Sequence, residues 1–165
     1  MYSRILPVAA LAALATAQNA PNLTAALAST PDLSALASAI GLAPPELVSA
    51  LGQATNVTIL APSNAAFSKL NASGMAGALA DPNALAAVLS YHVLNGTYRS
   101  SAVTNASTFI PTHLTSPQYA NVTGGQRVEV IKQGDKVVFY SGLLMNSTVT
   151  TADVNFTGGV IHINE

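Results

Sequence analysis

The sequence predicts an α+β domain, because its first half favours helices and its second half favours an antiparallel sheet. Of the 30 alanines among 165 residues, 28 lie at or before position 106, and alanine is the best helix former. The remainder is richer in valine and threonine, which pack well in strands. Charge is scarce, with 6 basic and 7 acidic residues, and cysteine is absent. This composition excludes a phosphate-neutralising nucleic-acid binder, a disulfide scaffold and a cysteine nucleophile.

The first seventeen residues are typical of a secretory signal peptide, which leaves residues 18–165 as a single domain. Arg4 gives a positive start, an apolar run extends from Ile5 to Leu14, and Ala15-Thr16-Ala17 is a small-x-small cleavage site. The alternative is a buried N-terminal helix. The run is too short to span a bilayer, and no later run is longer. We therefore expect a secreted chain without a transmembrane segment.

Acceptors for asparagine glycosylation are more frequent than chance allows. With 12 asparagines and 30 serines and threonines in 165 residues, the pattern Asn-x-Ser/Thr is expected roughly twice. It occurs eight times. We expect a glycoprotein whose sugars supply the hydration that so few charged side chains provide; the alternative is that several of these asparagines are unoccupied turn residues. The eight acceptors are Asn22, Asn56, Asn71, Asn95, Asn105, Asn121, Asn146 and Asn155.

Proline and capping residues mark three helices in the first half. Thr30-Pro31 predicts the start of the first helix, Pro45-Glu46 that of the second, and Asp81-Pro82 that of the third. Apolar residues at helical spacing follow the first and third starts. They are Leu33, Leu36, Ala37 and Ile40 in the first helix, and Leu85, Val88 and Leu89 in the third.

Alternating apolar residues predict strands in the second half. Arg127 to Ile131 and Lys136 to Tyr140 flank Gly134-Asp135, which is a pattern typical of a hairpin. Leu143 to Thr151 and Gly159 to Ile163 supply two more strand candidates. A chain of this length can bury enough surface for one core, so we expect it to fold without metal or disulfide.

A strand-to-helix corner lies between the two halves. Thr58 to Ala61 is a short apolar strand stopped by a proline. Ser63 or Asn64 then caps a helix. Phe67 and Leu70 on this helix are expected to point towards the core.

Three ordered segments resemble signature boxes of the fasciclin domain family. Thr58–Phe67 is similar to the family's first box, Val88–Gly96 to its Tyr-His segment and Gly158–Ile163 to its second box. The resemblance covers residues 19 to 165 and implies a compact wedge of β-strands packed with several α-helices. Family members usually continue into one more short apolar strand, so the resemblance also implies an unpaired sheet edge or a truncated chain.

The resemblance implies a secreted or surface-anchored adhesion module that binds without catalysis. In the family, adhesion is attributed to the Tyr-His segment and to an Asp-Ile pair before the second box; the matching positions here are Tyr91, His92, Asp153 and Val154. The implied partner is a cell-surface receptor or a component of matrix or cell wall, with no cofactor, and weak self-association stays open. A glycan on Asn155 is expected to shield Asp153.

Structural roles stay open for the same residues. Tyr91 and His92 stand among apolar residues and fit a buried pair whose polar atoms bond to backbone. Asp153 fits a turn cap as well as a ligand contact. His162, inside an alternating apolar strand, fits a core or edge histidine with satisfied hydrogen bonds.

Two other functions also stay open. A carrier or sensor of a small apolar ligand needs a closed apolar pocket of several hundred Å³. A secreted hydrolase or metal enzyme needs His92, His113 and His162 to converge with the scarce acidic residues. The sequence contains neither a Gly-x-Ser-x-Gly elbow nor a His-Glu-x-x-His motif. We therefore expect a binding module without catalytic or metal-binding residues.

Overall fold

The computed structural model describes residues 20–72, 77, 80–120, 122–142 and 145–165, and the side chains of residues 70–72 are not among the described groups. The predicted leader, residues 1–17, therefore lies outside the described residues. So do Asn121, the first two residues of the predicted strand at Leu143, and the side chains of Leu70 and Asn71.

The described residues contain five α-helices and two single-turn 3₁₀ helices. Four of the α-helices and one of the 3₁₀ helices lie before residue 73. The α-helices are α1 (Leu23–Ala28), α2 (Ser34–Gly41), α3 (Pro45–Gln53), α4 (Asn64–Ala72) and α5 (Pro82–Tyr91). The 3₁₀ helices are Pro31–Leu33 and Ser100–Ala102.

All three predicted helix starts agree with the structure in position, but one of them begins a 3₁₀ helix and not an α-helix. Pro45 begins α3 and Pro82 begins α5, where Asp81 accepts a hydrogen bond from the backbone N–H of Asn83. Pro31 begins a 3₁₀ turn that leads into α2. Thr30 does not cap this turn with its side chain; its hydroxyl donates instead to the carbonyl of Ala26 at 3.0 Å.

Seven strands form one sheet in the order β2-β1-β7-β6-β5-β4-β3. The β1–β7 pair is parallel and the other pairs are antiparallel. The strands are β1 (Val57–Pro62), β2 (Val93–Asn95), β3 (Thr108–Pro111), β4 (Arg127–Gln133), β5 (Lys136–Tyr140), β6 (Asn146–Phe156) and β7 (Gly159–Asn164).

The two edges of the sheet curl towards each other. Leu94 in β2 forms an isolated bridge with Thr112, just beyond β3, and the backbone N–H of His113 donates to the carbonyl of Val93 at 2.8 Å. The final strand, β7, is paired on both sides. This strand therefore occupies the centre of the sheet, and the expectation of an unpaired edge or a truncated chain stays a prediction.

Alternate residues of the central strands face two separate cores. Ile59 and Ile161 belong to the core between sheet and helices. Leu60 belongs to the core inside the curled sheet, and His162, its partner in the β1–β7 register, lies beside Phe139 with ring centroids 6.2 Å apart. Because both faces are covered, β1 and β7 are almost continuously apolar, as buried parallel strands are.

Two details of the predicted elements need correction. The last long strand begins at Asn146 and runs to Phe156, so Asp153 lies inside a strand and not in a turn after it. Val88 is 37% exposed, whereas Leu85 and Leu89 are buried. The buried stripe of α5 is thus narrower than predicted, and Val88 lies on the solvent side of it. The predicted hairpin of β4 and β5 is confirmed, with Gly134 at positive φ in its turn.

Candidate functional site

The residues that the sequence singled out for adhesion lie in two separate places. Tyr91 and His92 end α5. Asp153 and Val154 lie in β6 where its pairing with β7 shifts register. Among the described residues, no hydrogen bond joins one pair to the other.

His92 caps the C-terminal end of α5 and is half-buried. Its Nδ1 lies 2.7 Å from the carbonyl oxygen of Val88, so Nδ1 carries the proton and Nε2 is left as an acceptor. Burial lowers the pKa of His92, and the hydrogen bond to Val88 only partly opposes this. The ring is therefore neutral at neutral pH and offers one acceptor nitrogen.

Tyr91 stands edge-on to His92, with ring centroids 5.8 Å apart. It packs against the core inside the curled sheet and keeps part of its surface exposed. Burial raises the pKa of Tyr91, against an opposing hydrogen bond from the backbone of Gly142, so the phenol is uncharged at neutral pH. With Val88 one helical turn earlier, these residues form a small uncharged surface, here called the α5 patch: Val88, Tyr91 and His92.

Asp153 lies in the β-bulge of β6 and has a positive φ of 60°. Its carboxylate accepts one hydrogen bond from the backbone N–H of Ser100 at 2.9 Å and another from the Ser100 hydroxyl. Both bonds hold the start of the 3₁₀ helix Ser100–Ala102 against the sheet. The side chain of Val154 packs against the core between sheet and helices. The structure thus gives both residues contacts within the fold.

His162 has both ring nitrogens bonded to backbone groups. Nε2 lies 2.7 Å from the carbonyl oxygen of Tyr98, and Nδ1 accepts from the backbone N–H of Asp153 at 3.2 Å. These partners select the tautomer with its proton on Nε2. The side chain is fully buried. His162 therefore ties the segment Gly96–Ala102, called the 96–102 loop below, to the centre of the sheet.

Ser100, Asp153 and His162 converge, but they are connected in an order that does not activate a nucleophile. A hydrolytic triad needs the serine hydroxyl bonded to the histidine and the histidine oriented by the carboxylate. Here the Ser100 hydroxyl donates to the carboxylate, and no histidine nitrogen is available to take its proton. Within the described part of the chain, no group of three or more His, Asp or Glu residues could hold a metal ion.

Thr58 is a further structural residue of this region that the sequence reading did not single out. Its hydroxyl donates to the carbonyl of Gly96 and accepts from the backbone N–H of Tyr98, both at 2.8 Å. It is fully buried in β1. The sequence signal that could have identified it is a single hydroxyl residue within an apolar strand. Buried polar groups are nearly always hydrogen-bonded, so such a residue is expected to hold a neighbouring segment.

An open groove of about 740 Å³ borders the region of Ser100 and Asp153 on the described surface. Ser100 and Ala152 line it, together with Lys69, Lys136, Asp135 and Glu165 among others. An apolar cleft of about 250 Å³ lies between α1, α2 and α3, which is smaller than the range typical of ligand pockets. None of the helices in the described residues is both long and apolar enough to cross a bilayer.

We expect the stability contributed by Asp153 to depend on pH. Burial raises the pKa of Asp153, but the hydrogen bonds from Ser100 outweigh it, with help from nearby positive charge including that of Arg99, so the pKa lies below its usual value. The contribution is present above the unfolded pKa of about 3.9 and is lost as pH falls through the lower folded value. Wild type should exceed Asp153→Asn in unfolding free energy at pH 7, and the difference should shrink below about pH 4.

Urea denaturation of both proteins at neutral and acidic pH measures this difference. Asparagine tolerates positive φ, so the substitution adds no backbone strain of its own. A difference that stays constant across the pH range would show that the carboxylate charge plays no part.

The sequence matches the fasciclin domain family over residues 31–164. The chain belongs to the fasciclin domain family. The fasciclin-like chain is 31% identical over 152 residues to the fasciclin-like arabinogalactan protein of Arthroderma benhamiae, which covers 90% of this chain and 36% of that protein. It is 30% identical over 107 residues to the fasciclin-like arabinogalactan protein elcF of Phaeosphaeria nodorum, covering 65% of this chain and 34% of that one.

A solved structure agrees with the family assignment. The FAS1 domain pair from the insect cell adhesion molecule fasciclin I aligns with a TM-score of 0.64 and 25% identity, covering 81% of this chain and 44% of that one. This fasciclin domain thus spans about a third of the curated relatives and less than half of the domain pair. The predicted family and the predicted α+β fold are both confirmed, and β1 and β7, which carry the two signature boxes, are direct neighbours.

Proposed function

We propose that this domain is a secreted, glycosylated adhesion module that attaches to a cell-surface receptor or to a component of matrix or cell wall. The observation that carries the proposal is membership of the fasciclin domain family, together with likeness to a domain pair from an insect cell adhesion molecule. The N-terminal segment typical of a signal peptide, residues 1–17, and the eight glycosylation acceptors support secretion. The relatives' name, arabinogalactan protein, supports a sugar-bearing chain.

The α5 patch supports attachment better than the second pair of residues. Tyr91 is rigidly packed yet partly exposed, His92 offers an acceptor nitrogen, and Val88 adds exposed apolar area. Anchored aromatic side chains of this kind dominate the energetics of protein interfaces. Asp153 is engaged by Ser100 and Val154 by the core, so their proposed role is to hold the fold, with Asp153 positioning the 96–102 loop, and not to contact the partner.

A charge placed in the α5 patch is expected to weaken attachment. Val88→Glu puts a carboxylate where a partner would have to desolvate it, which is costly without a matching charge. We expect several-fold fewer attached cells on surfaces coated with this variant than on surfaces coated with wild type. The matched control is Leu42→Glu, because Leu42 is a 76% exposed apolar residue at the end of another helix. Equal loss with both variants would contradict the assignment of the patch.

The same assay separates a contact role of Asp153 from a positioning role. Asp153→Asn keeps the size of the side chain and its tolerance of positive φ. We expect its attachment to match wild type under conditions where the variant is folded. A loss as large as that of Val88→Glu would place the carboxylate in the contact surface.

The alternatives receive less support from the fold. A carrier of an apolar ligand would rely on the cleft between α1, α2 and α3, whose volume of about 250 Å³ is small for that purpose. A hydrolase would rely on Ser100, Asp153 and His162, whose hydrogen bonds leave no general base for the serine. None of the relatives described above carries the name of an enzyme.

A further inference from the structure

Four glycosylation acceptors that are distant in sequence meet at one end of the sheet. Asn56 immediately precedes β1, whose first residue, Val57, is opposite Asn95 of β2 on one side and Gly159 of β7 on the other. Asn155 is the second-last residue of β6, next to the residue that pairs with Gly159. These three acceptors therefore stand in a row across the strands β2, β1, β7 and β6. Neighbouring strands are about 4.8 Å apart, so the row spans roughly 15 Å.

The fourth acceptor joins them through the start of α1. The backbone N–H of Thr157, in the turn between β6 and β7, donates to the carbonyl of Pro21 at 3.0 Å. This bond places Asn22, the N-cap of α1, beside the same turn. The group Asn22, Asn56, Asn95 and Asn155 is called the sequon end below.

The side-chain chemistry of these asparagines suits attachment of a glycan. All six acceptors with a described side chain are exposed. Three of them accept a hydrogen bond through Oδ1: Asn22 from Ala25, Asn56 from Thr97 and Asn155 from Arg99. Because each partner is an N–H group, the oxygen must be the acceptor, and Nδ2, the atom that carries an N-glycan, points elsewhere. Among the described residues, none of these three Nδ2 groups donates a hydrogen bond.

Two asparagines outside the acceptor pattern, Asn64 and Asn164, do donate from Nδ2. Asn64 donates from Nδ2 to the carbonyl of Pro31 and to the hydroxyl of Ser34, both at 3.0 Å. Asn164 is buried and donates from Nδ2 to Ser147. A glycan replaces one of the two Nδ2 hydrogens, so on Asn64 it would remove one of these two bonds. On Asn22, Asn56 and Asn155 it would leave the Oδ1 bond intact.

We propose that Asn22, Asn56, Asn95 and Asn155 are glycosylated together and form a glycan cap over this end of the sheet. The proposal rests on the secretion that the proposed function requires. The donor is a lipid pyrophosphate-linked oligosaccharide of the host's secretory pathway. The Nδ2 atom forms a bond to the sugar C1, the bond from C1 to the pyrophosphate oxygen breaks, the lipid pyrophosphate leaves and the displaced Nδ2 proton passes to a base.

The cap determines which part of the domain remains open to a partner. The 96–102 loop follows Asn95 directly, and Arg99 bonds Asn155, so sugars at the sequon end cover this loop and the nearby Asp153. The α5 patch lies further along β1, because the carbonyl of His92 accepts from the N–H of Leu60, three residues or roughly 10 Å beyond Val57 at the sequon end. Attachment through the α5 patch is compatible with a fully occupied sequon end.

Site mapping tests the cap directly. The full chain is secreted from a eukaryotic host, its glycans are removed enzymatically in heavy-oxygen water, and peptides are weighed; each occupied asparagine becomes a labelled aspartate. We expect labels at all four sequon-end residues and none at Asn83, an exposed asparagine outside the pattern. A sample without the glycosidase controls for spontaneous deamidation. Absence of label at any one of the four would overturn the joint cap.

Limited trypsin digestion tests whether the cap covers the loop. Glycans trimmed to a single sugar should allow cleavage after the exposed Arg99 several-fold faster than intact glycans do. Cleavage after Lys136, exposed beside the turn of the β4–β5 hairpin and ten residues from the nearest acceptor in sequence, should not change. Equal cleavage after Arg99 in both samples would overturn the shielding. Neither experiment measures cell attachment, so both results are independent of whether the domain proves to be an adhesion module.

Discussion

Replacing Gly159 with alanine is expected to destabilise the domain by about 3–5 kcal/mol, at the upper end for a single substitution. A Cβ at this position would lie 1.9 Å from the carbonyl oxygen of Val57, which no real contact allows. The clash is with backbone, at the start of the β1–β7 ladder, so no flexible side chain can move aside. Urea denaturation should show a large loss of unfolding free energy or no folded protein at all.

Gly41→Ala is the matched control for this prediction. Gly41 lies in α2 and a Cβ there meets nothing within 4 Å. The substitution should be neutral or stabilise the fold by up to about 1 kcal/mol, because alanine loses less backbone entropy in a helix. If Gly159→Ala proved as stable as wild type, the close contact between β1 and β7 would be wrong.

His162→Leu is the second substitution with a large expected effect, about 2–5 kcal/mol of unfolding free energy. Leucine fills a similar volume but leaves two partly buried backbone groups without their partner, the carbonyl of Tyr98 and the N–H of Asp153. Each unsatisfied group costs about 1–3 kcal/mol. Amides of the 96–102 loop should also exchange hydrogen faster, since the loop loses its tie to β7.

His113→Leu controls for the loss of a histidine as such. His113 is exposed, and surface substitutions away from special features usually change stability by no more than about 0.5 kcal/mol. A small effect at both histidines would show that the buried hydrogen bonds of His162 contribute little, and unchanged loop exchange would show that they do not hold the loop.

Helix-capping residues and the alternation of apolar and polar residues made most of the fold predictable from the sequence. Pro45, Pro82 and Asp81 mark helix starts whose chemistry is complete within a few residues. The hairpin around Gly134 was predictable for the same reason. Helix α1 was not predicted, because it has only six residues and its cap, Asn22, also fits a glycosylation acceptor.

Contacts between distant segments could not be predicted from the sequence. The extension of β6 past Thr151 depends on pairing with β7, and a bulge at Asp153 interrupts the alternation that would have indicated it. The position of Ser100 against Asp153 joins residues 53 apart, and no local pattern predicts it. The signature boxes located Tyr91 and His92, but their partial burial depends on packing against the curled sheet.

The surface that attaches can be measured most directly by hydrogen exchange on the glycosylated protein, free and bound to a matrix or cell-surface preparation that it adheres to. We expect slower amide exchange in the bound state at residues 88–93, around the α5 patch, and unchanged exchange at residues 96–102 and 153–157. Protection confined to residues 96–102 and 153–157, with no change around Tyr91 and His92, would contradict attachment through the α5 patch.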